Sequence, residues 1–260
     1  TGQFAVLGTA QVAALSSAQV HTMTSDDLAA LSVAGIKTLG TAHIAVLDTA
    51  QFTALTTAQF AGLTTAQAGA ITSAQSAKWA TDDLQALSTT DIRALTTDAL
   101  AGMGTEQFTN LTNGQVQALS ASQIAALGSD DLNSLTTGQF AVLTTAQAAA
   151  LTSLQSATLA TDDLQALSTA DIRALTTATL AGMGTTQFTA LTTSQVASLT
   201  AAQIASLGSD DLNSLTSDQF TALGSAQVAA LSSAQALTIT CADLAALTAA
   251  AINARAPAAK

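Results

Sequence analysis

The chain repeats with a period of eight residues, and a period this short leaves few folds open. One copy reads Thr57-Ala58-Gln59-Phe60-Ala61-Gly62-Leu63-Thr64. Copies run without insertion or deletion over residues 1–256, which makes 32 octads. Numbered from Thr57, position 7 is apolar in 31 copies, usually Leu, with Trp79, Met103 and Ile239 among the variants and Arg255 as the break. Position 4 is apolar in 30 copies, with Ser76 and Ser156 as exceptions. Residues three apart share one face of a helix, so positions 4 and 7 define a buried stripe. Position 6 is mostly Ala, Gly, Ser or Thr, small enough for a neighbouring backbone to come close. Position 5 carries the polar variety (His21, Lys37, Gln85, Arg93, Asn133) and is expected to face water.

Each octad also carries its own start signal. Position 8 is Ser or Thr in 21 copies and Gly in 7; position 3 of the next octad is Gln in 19 and Asp in 8. Thr56-Thr57-Ala58-Gln59 therefore has the form of a capping box. The Thr56 hydroxyl is placed to accept from the Gln59 amide, and the Gln59 side chain to reach back to the Thr56 N–H. Ser16 to Gln19 and Thr144 to Gln147 repeat it. Of the 17 carboxylates, 16 lie at positions 2 or 3, in the first turn, where the helix dipole favours negative charge; Asp48 falls on the cap itself.

The pattern predicts an all-α solenoid or superhelix of about 32 helices, each of about two turns and one per octad. A helix that short needs its neighbours to survive. One continuous helix is excluded, because an eight-residue stripe drifts by about 80° per octad. A β-solenoid is the alternative. The Thr pairs favour it, but the Leu and Ala interior and the missing period of two speak against it.

Unbroken register makes residues 1–256 a single array, with residues 257–260, which include Pro257, as a terminal tail. The pattern fades at Asn253 and Arg255, and residues 33–48, with Val33, Gly35 and His43 near the caps, are the least regular. A longer repeat is superposed: residues 57–136 match 137–216 at 61 of 80 positions. Duplication of whole octads is tolerated where each touches only its neighbours.

Composition narrows the partners. The net charge is −11 with 6 basic residues, so the acidic chain offers phosphates no basic patch and nucleic acid is not expected as a partner. Polar residues interrupt every octad, so membrane insertion is not expected either. No signal peptide is visible at Thr1, and the sequence starts mid-pattern, as an excised or processed segment would. The single cysteine, Cys241, excludes an internal disulfide and leaves an intermolecular one open if it is exposed.

Candidate chemistry is sparse. The Asp pairs Asp26/Asp27, Asp82/Asp83, Asp130/Asp131, Asp162/Asp163 and Asp210/Asp211 are the calcium candidates. One pair supplies too few oxygens, so a site would need stacked coils to bring two pairs together; helix capping explains the pairs without a metal. His21 and His43 have no Cys or Glu at ligand spacing, so surface and cap roles are expected. No Ser has a His base and an acid at suggestive spacing. Gly62, Gly102 and Gly182 read as packing or flexibility positions, since no phosphate-cradling loop surrounds them. The sequence is read as non-enzymatic, with no cofactor.

The run Leu-Thr-Thr-Ala-Gln-Phe/Val-x-x-Leu resembles the octapeptide-repeat stretches of very large secreted or surface-anchored bacterial proteins of adhesin-like type. The resemblance covers the whole chain. It implies an extracellular or cell-surface setting in bacteria and self-association into homo-oligomers or filaments. On that basis the expected function is a structural stalk or filament subunit; the alternative is an adhesin scaffold that binds calcium or a glycan.

Overall fold

The structure is a computed structural model that describes residues 2–247; the fading octad at Asn253 and Arg255 and the tail 257–260 lie outside the described residues. Among the described residues there is no strand, and the chain is a succession of short helices, one per octad. The helical solenoid expected from the octad is therefore the fold, with one correction. Up to Thr238 the α-helices are four to six residues long, short of two full turns, residues 241–247 are helical as well, and the first element, Phe4–Val6, is a 3-10 turn. The reason is that positions 7 and 8 are commonly both extended. Leu31 has φ −64° and ψ 142°, and the next residue, Ser32, has φ −65° and ψ 152°. Two residues of such an octad turn the chain and leave six for helix.

The predicted capping boxes form. Thr56 accepts from the Gln59 N–H at 3.2 Å, and Gln59 Oε1 accepts from the Thr56 N–H at 2.8 Å. The Ser16/Gln19 and Thr144/Gln147 boxes repeat this geometry. Asp48 caps in the same way, with the Gln51 N–H at 2.8 Å from its carboxylate.

Contacts divide the chain into two compact units, Thr1–Leu135 and Thr136–Lys260. The division falls one residue before the second copy of the 80-residue duplication. Within each unit a helix packs on the helix three octads away. In the first unit Thr57–Ala61 packs on Thr81–Ala86, Thr65–Ala68 on Thr89–Ala94, and Ser73–Ser76 on Thr97–Gly102. In the second, Thr161–Ala166 packs on Thr185–Ala190, which in turn packs on Ser209–Asn213. Three octads thus make one coil.

Positions 4 and 7 fill the interior of the coils. Val20, Leu28, Ile36 and Phe60 are fully buried, as are their counterparts in the second unit, Ile172, Phe188 and Val196. Near the middle of the first unit Phe52, Phe60 and Trp79 form an aromatic cluster, with Phe52 and Phe60 edge to face at 5.1 Å between centroids. Position 5 faces outward as predicted: His21, Lys37, Gln85 and Arg93 are exposed, and Asn133 is half-buried. The irregular stretch 33–48 keeps its helices, Val33–Thr38 and Thr41–Ala45, in the array.

Candidate functional site

The most regular chemical feature is the side chain at position 3. A capping box needs only the acceptor oxygen of Gln, which leaves the amide nitrogen with two protons to place. In the structure that nitrogen points into the coil beneath. Gln67 Nε2 donates to the carbonyls of Ile36 at 2.7 Å and Leu39 at 2.8 Å. Gln75 repeats this on Ile44 and Leu47, and Gln115 on Leu84 and Leu87. In the second unit Gln203 bonds to Ile172 and Leu175, and Gln235 to Ile204 and Leu207. The acceptors lie 31 and 28 residues back, at positions 4 and 7. These carbonyls sit at the end of a short helix; the one at position 4 already accepts from the N–H at position 7, as Ile36 does from Leu39 at 3.1 Å, and the amide adds a second donor to it.

One buried amide therefore does two jobs: Oε1 starts its own helix and Nε2 ties that helix to the end of an earlier one. Gln59, Gln67 and Gln75 are each 1% exposed. The capping signature in the sequence accounts only for the oxygen, so this ladder is not foreseen by it. A signal was nevertheless there. Glu serves a capping box as well as Gln does, yet position 3 holds Gln 19 times and Glu never. Only Gln supplies the donor.

The exceptions at position 3 follow the same logic. His43 accepts from the Gly40 N–H at its Nδ1, 2.8 Å away, and its Nε2 lies 3.0 Å from the Leu15 carbonyl, 28 residues back. The cap role expected for His43 is thus combined with the ladder role. Thr179 donates its hydroxyl to the Leu151 carbonyl at 2.6 Å, again 28 residues back. His21, as expected, is a surface residue; its Nδ1 lies 2.9 Å from the Val46 carbonyl.

The Asp residues at position 3 are one methylene shorter and, ionised, have no proton to give these carbonyls. They stay local or take a hydroxyl from the adjacent coil. Asp91 accepts from Ser88 Oγ. Asp83 accepts from Thr57 Oγ1 at 2.7 Å, and Asp163 from Thr137 Oγ1 at 2.9 Å.

As calcium candidates, Asp82/Asp83, Asp130/Asp131, Asp162/Asp163 and Asp210/Asp211 all sit in the first turns of their helices. The structure does not bring two of these pairs together within a unit. In the second unit, helix Thr185–Ala190 lies between the helices that carry Asp162/Asp163 and Asp210/Asp211. Among the described residues no group of three or more His, Cys, Asp or Glu could hold a metal ion. Burial pushes the carboxyls of Asp131 and Asp211 up from the ordinary range, and the adjacent Asp130 and Asp210 add to this. Burial raises Asp163 as well; the Thr137 hydroxyl opposes the shift and Asp162 reinforces it.

The two apolar-pattern exceptions, Ser76 and Ser156, mark the close helix pairings. Ser76 Oγ donates to the Ala99 carbonyl at 2.6 Å, and Ser156 Oγ to the Thr179 carbonyl at 2.7 Å. Opposite them Gly102 and Gly182 have no space for a side chain. A Cβ on either would stand 2.3 Å from a backbone oxygen, that of Ser73 or Ser153. Gly62 is limited by a side chain instead, Val33 at 2.3 Å. All three glycines are packing positions. On the surface, open grooves run between stacked helices; one is lined by Ser153, Leu154, Ala157, Ala178, Ala181 and Gly182, with Leu154 exposed beside it. Cys241 is free and exposed. No described helix is long and apolar enough to cross a membrane.

Comparison with known proteins agrees with this repeat geometry. The ALTTAQ repeat, whose six letters stand here as Ala54 to Gln59, matches residues 22–57, 44–79, 76–113, 124–161, 164–201 and 204–240. The search of curated proteins gives no match. The matched segments take in well over half of the sequence, Gln67 and Gln75 of the ladder among them, and the chain belongs to the ALTTAQ repeat family.

Proposed function

We propose that this chain is a non-enzymatic structural repeat element that works outside the cell or at its surface as a stalk or filament subunit. One observation carries the reading. Each coil offers amide donors from position 3 on one side and carbonyl acceptors from positions 4 and 7 on the other, as at Gln67, Ile36 and Leu39. A contact that is complementary but not two-fold symmetric propagates instead of closing. The same chemistry that stacks coils within a unit is suited to stacking coils of separate molecules. Charged residues are few, 9% of the chain, but the net charge of −11 sets like copies against each other, so assembly is expected to strengthen with salt.

Electron microscopy of the purified 260-residue chain across a concentration series tests this. The run includes a reductant, because a Cys241 disulfide could link copies by another route. Ordered fibres that lengthen with concentration are the expected result. A particle that remains monomeric by light scattering at the highest concentration would sink the filament reading. A melting temperature that climbs on calcium addition would favour the scaffold alternative, because ligand binding to the folded state alone stabilises it.

A further inference from the structure

Two histidines sit between the same pair of stacked helices, Ser17–Thr22 and Thr41–Ala45, and their hydrogen bonds make opposite demands on the proton. His21 Nδ1 faces a carbonyl, that of Val46. It must donate, and a doubly protonated ring donates as well as a neutral one. His43 differs. Its Nδ1 faces the Gly40 N–H at 2.8 Å and must accept, while its Nε2 faces the Leu15 carbonyl at 3.0 Å and must donate. Only the neutral ring protonated at Nε2 satisfies both. A second proton on Nδ1 would set two N–H groups against each other across the cap.

We infer that His43 makes the ladder contact between Leu15 and the cap at Gly40 an acid-released joint, closed by a neutral imidazole and opened by its protonation. At the other ladder positions of the first unit, such as Gln67 and Gln75, an amide holds the same contact and takes no proton in this range. Imidazole is the side chain whose charge ordinarily changes between about pH 5 and 8. The surroundings supply no obvious counter-charge. Of the helices packed on Thr41–Ala45, Ser17–Thr22 carries one titratable side chain, His21, and Thr65–Ala68 carries none. Helix Thr9–Ala13, which precedes Leu15, carries none either. Lys37 belongs to the octad before His43, and Asp48 closes His43's own octad, where it caps the next helix, Thr49–Thr53. The joint does not depend on the proposed structural role; it holds for any use of the repeat.

Amide hydrogen exchange of the full chain tests the joint. The Gly40 N–H is followed from about pH 7.5 to about pH 5, with intrinsic rates divided out, against the Thr64 N–H, which is bonded to Gln67 instead. The expected result is a loss of Gly40 protection of about tenfold or more in acid, with Thr64 unchanged, as a cap amide loses its acceptor. His43→Gln restores an amide at position 3 and is expected to abolish the pH dependence; His21→Ala is expected to leave it. Equal loss at Gly40 in the parent and in His43→Gln, or no loss in the parent, overturns the joint. Imidazole nitrogen NMR of the unmodified chain gives a readout free of mutation: a neutral His43 protonated at Nδ1 also overturns it.

Discussion

The Ser76 hydroxyl reaches the Ala99 carbonyl at 2.6 Å, across two stacked helices that leave no room for a larger group. It explains why position 4, otherwise apolar, admits Ser here: the hydroxyl is buried but hydrogen-bonded, so its burial is not a loss. The same bond recurs in the second unit from Ser156 to Thr179. Each serine is matched by a glycine on the helix stacked against it, Gly102 for Ser76 and Gly182 for Ser156. Gly102→Ala and Gly182→Ala are each expected to destabilise their unit by about 1–3 kcal/mol, since the clash is with backbone that cannot rotate away. Urea unfolding followed by circular dichroism measures it. Wild-type midpoints in both variants would mean that the helices can separate at little cost.

The amide ladder makes a sharper statement. Gln67→Glu keeps an oxygen for the Thr64 cap but turns a carboxylate toward the carbonyls of Ile36 and Leu39. The expected loss is about 2–4 kcal/mol, larger than for Gln67→Ala, because acceptors then face acceptors away from water. At Gln11, which is exposed, the same change is expected to stay within about 0.5 kcal/mol. Thermal melts of the three variants decide; equal losses at Gln67 and Gln11 would show that only the cap matters.

The raised carboxyls set a pH dependence with a definite sign. Burial lifts Asp211 and Asp163 above the ordinary carboxylate range, so the folded state takes up protons before the unfolded state does. Stability from these groups is fully present below the unfolded carboxylate value and is lost as pH rises through the folded one. The second unit should therefore gain stability as pH falls from neutral toward the carboxylate range. Asp211→Asn should be more stable than the parent at neutral pH, and the difference should shrink in acid. A constant difference from neutral to acid pH would refute the assignment to Asp211.

Position 3 also offers a gain. Asp211 stands in the same register to Leu180 and Met183 as Gln67 does to Ile36 and Leu39, but its carboxylate has no N–H to donate to them. Asp211→Gln is expected to add about 1 kcal/mol by supplying the missing donor and removing a half-buried charge. Melting of the variant at neutral pH checks it; a lower melting temperature would show that this coil is spaced differently from those built on Gln195 or Gln203.

Most of the fold was legible in the octad. Positions 4, 7 and 8 each report on one short-range requirement, burial or capping, which a single octad suffices to express. The coil of three octads was not legible. It arises from contacts between octads that are distant along the chain and so alike that no pattern marks which one meets which. The helices were also expected too long, because the extended Leu31 before the extended Ser32 leaves no mark in the composition of the octad. The ladder lay halfway between. The preference for Gln over Glu is visible in the sequence, but a capping box accounts for the oxygen of Gln59 alone and is silent on its nitrogen. Ser76 and Gly102 stand in different octads with nothing in the sequence to link them, and only the stacked helices join them.

The acceptors of the ladder are main-chain carbonyls, such as those of Ile36 and Leu39 beneath Gln67. Every amino acid supplies the same carbonyl, so the amide grips its neighbour without reading which residue it has met. In this respect the chain resembles parts cut to one screw thread: at the ladder any octad with Gln at position 3 can meet any other, while the Ser76–Gly102 and Ser156–Gly182 pairings stay matched. Outward positions are then free to vary without disturbing assembly. Whatever a molecule of this kind displays can be exchanged segment by segment while the thread stays the same.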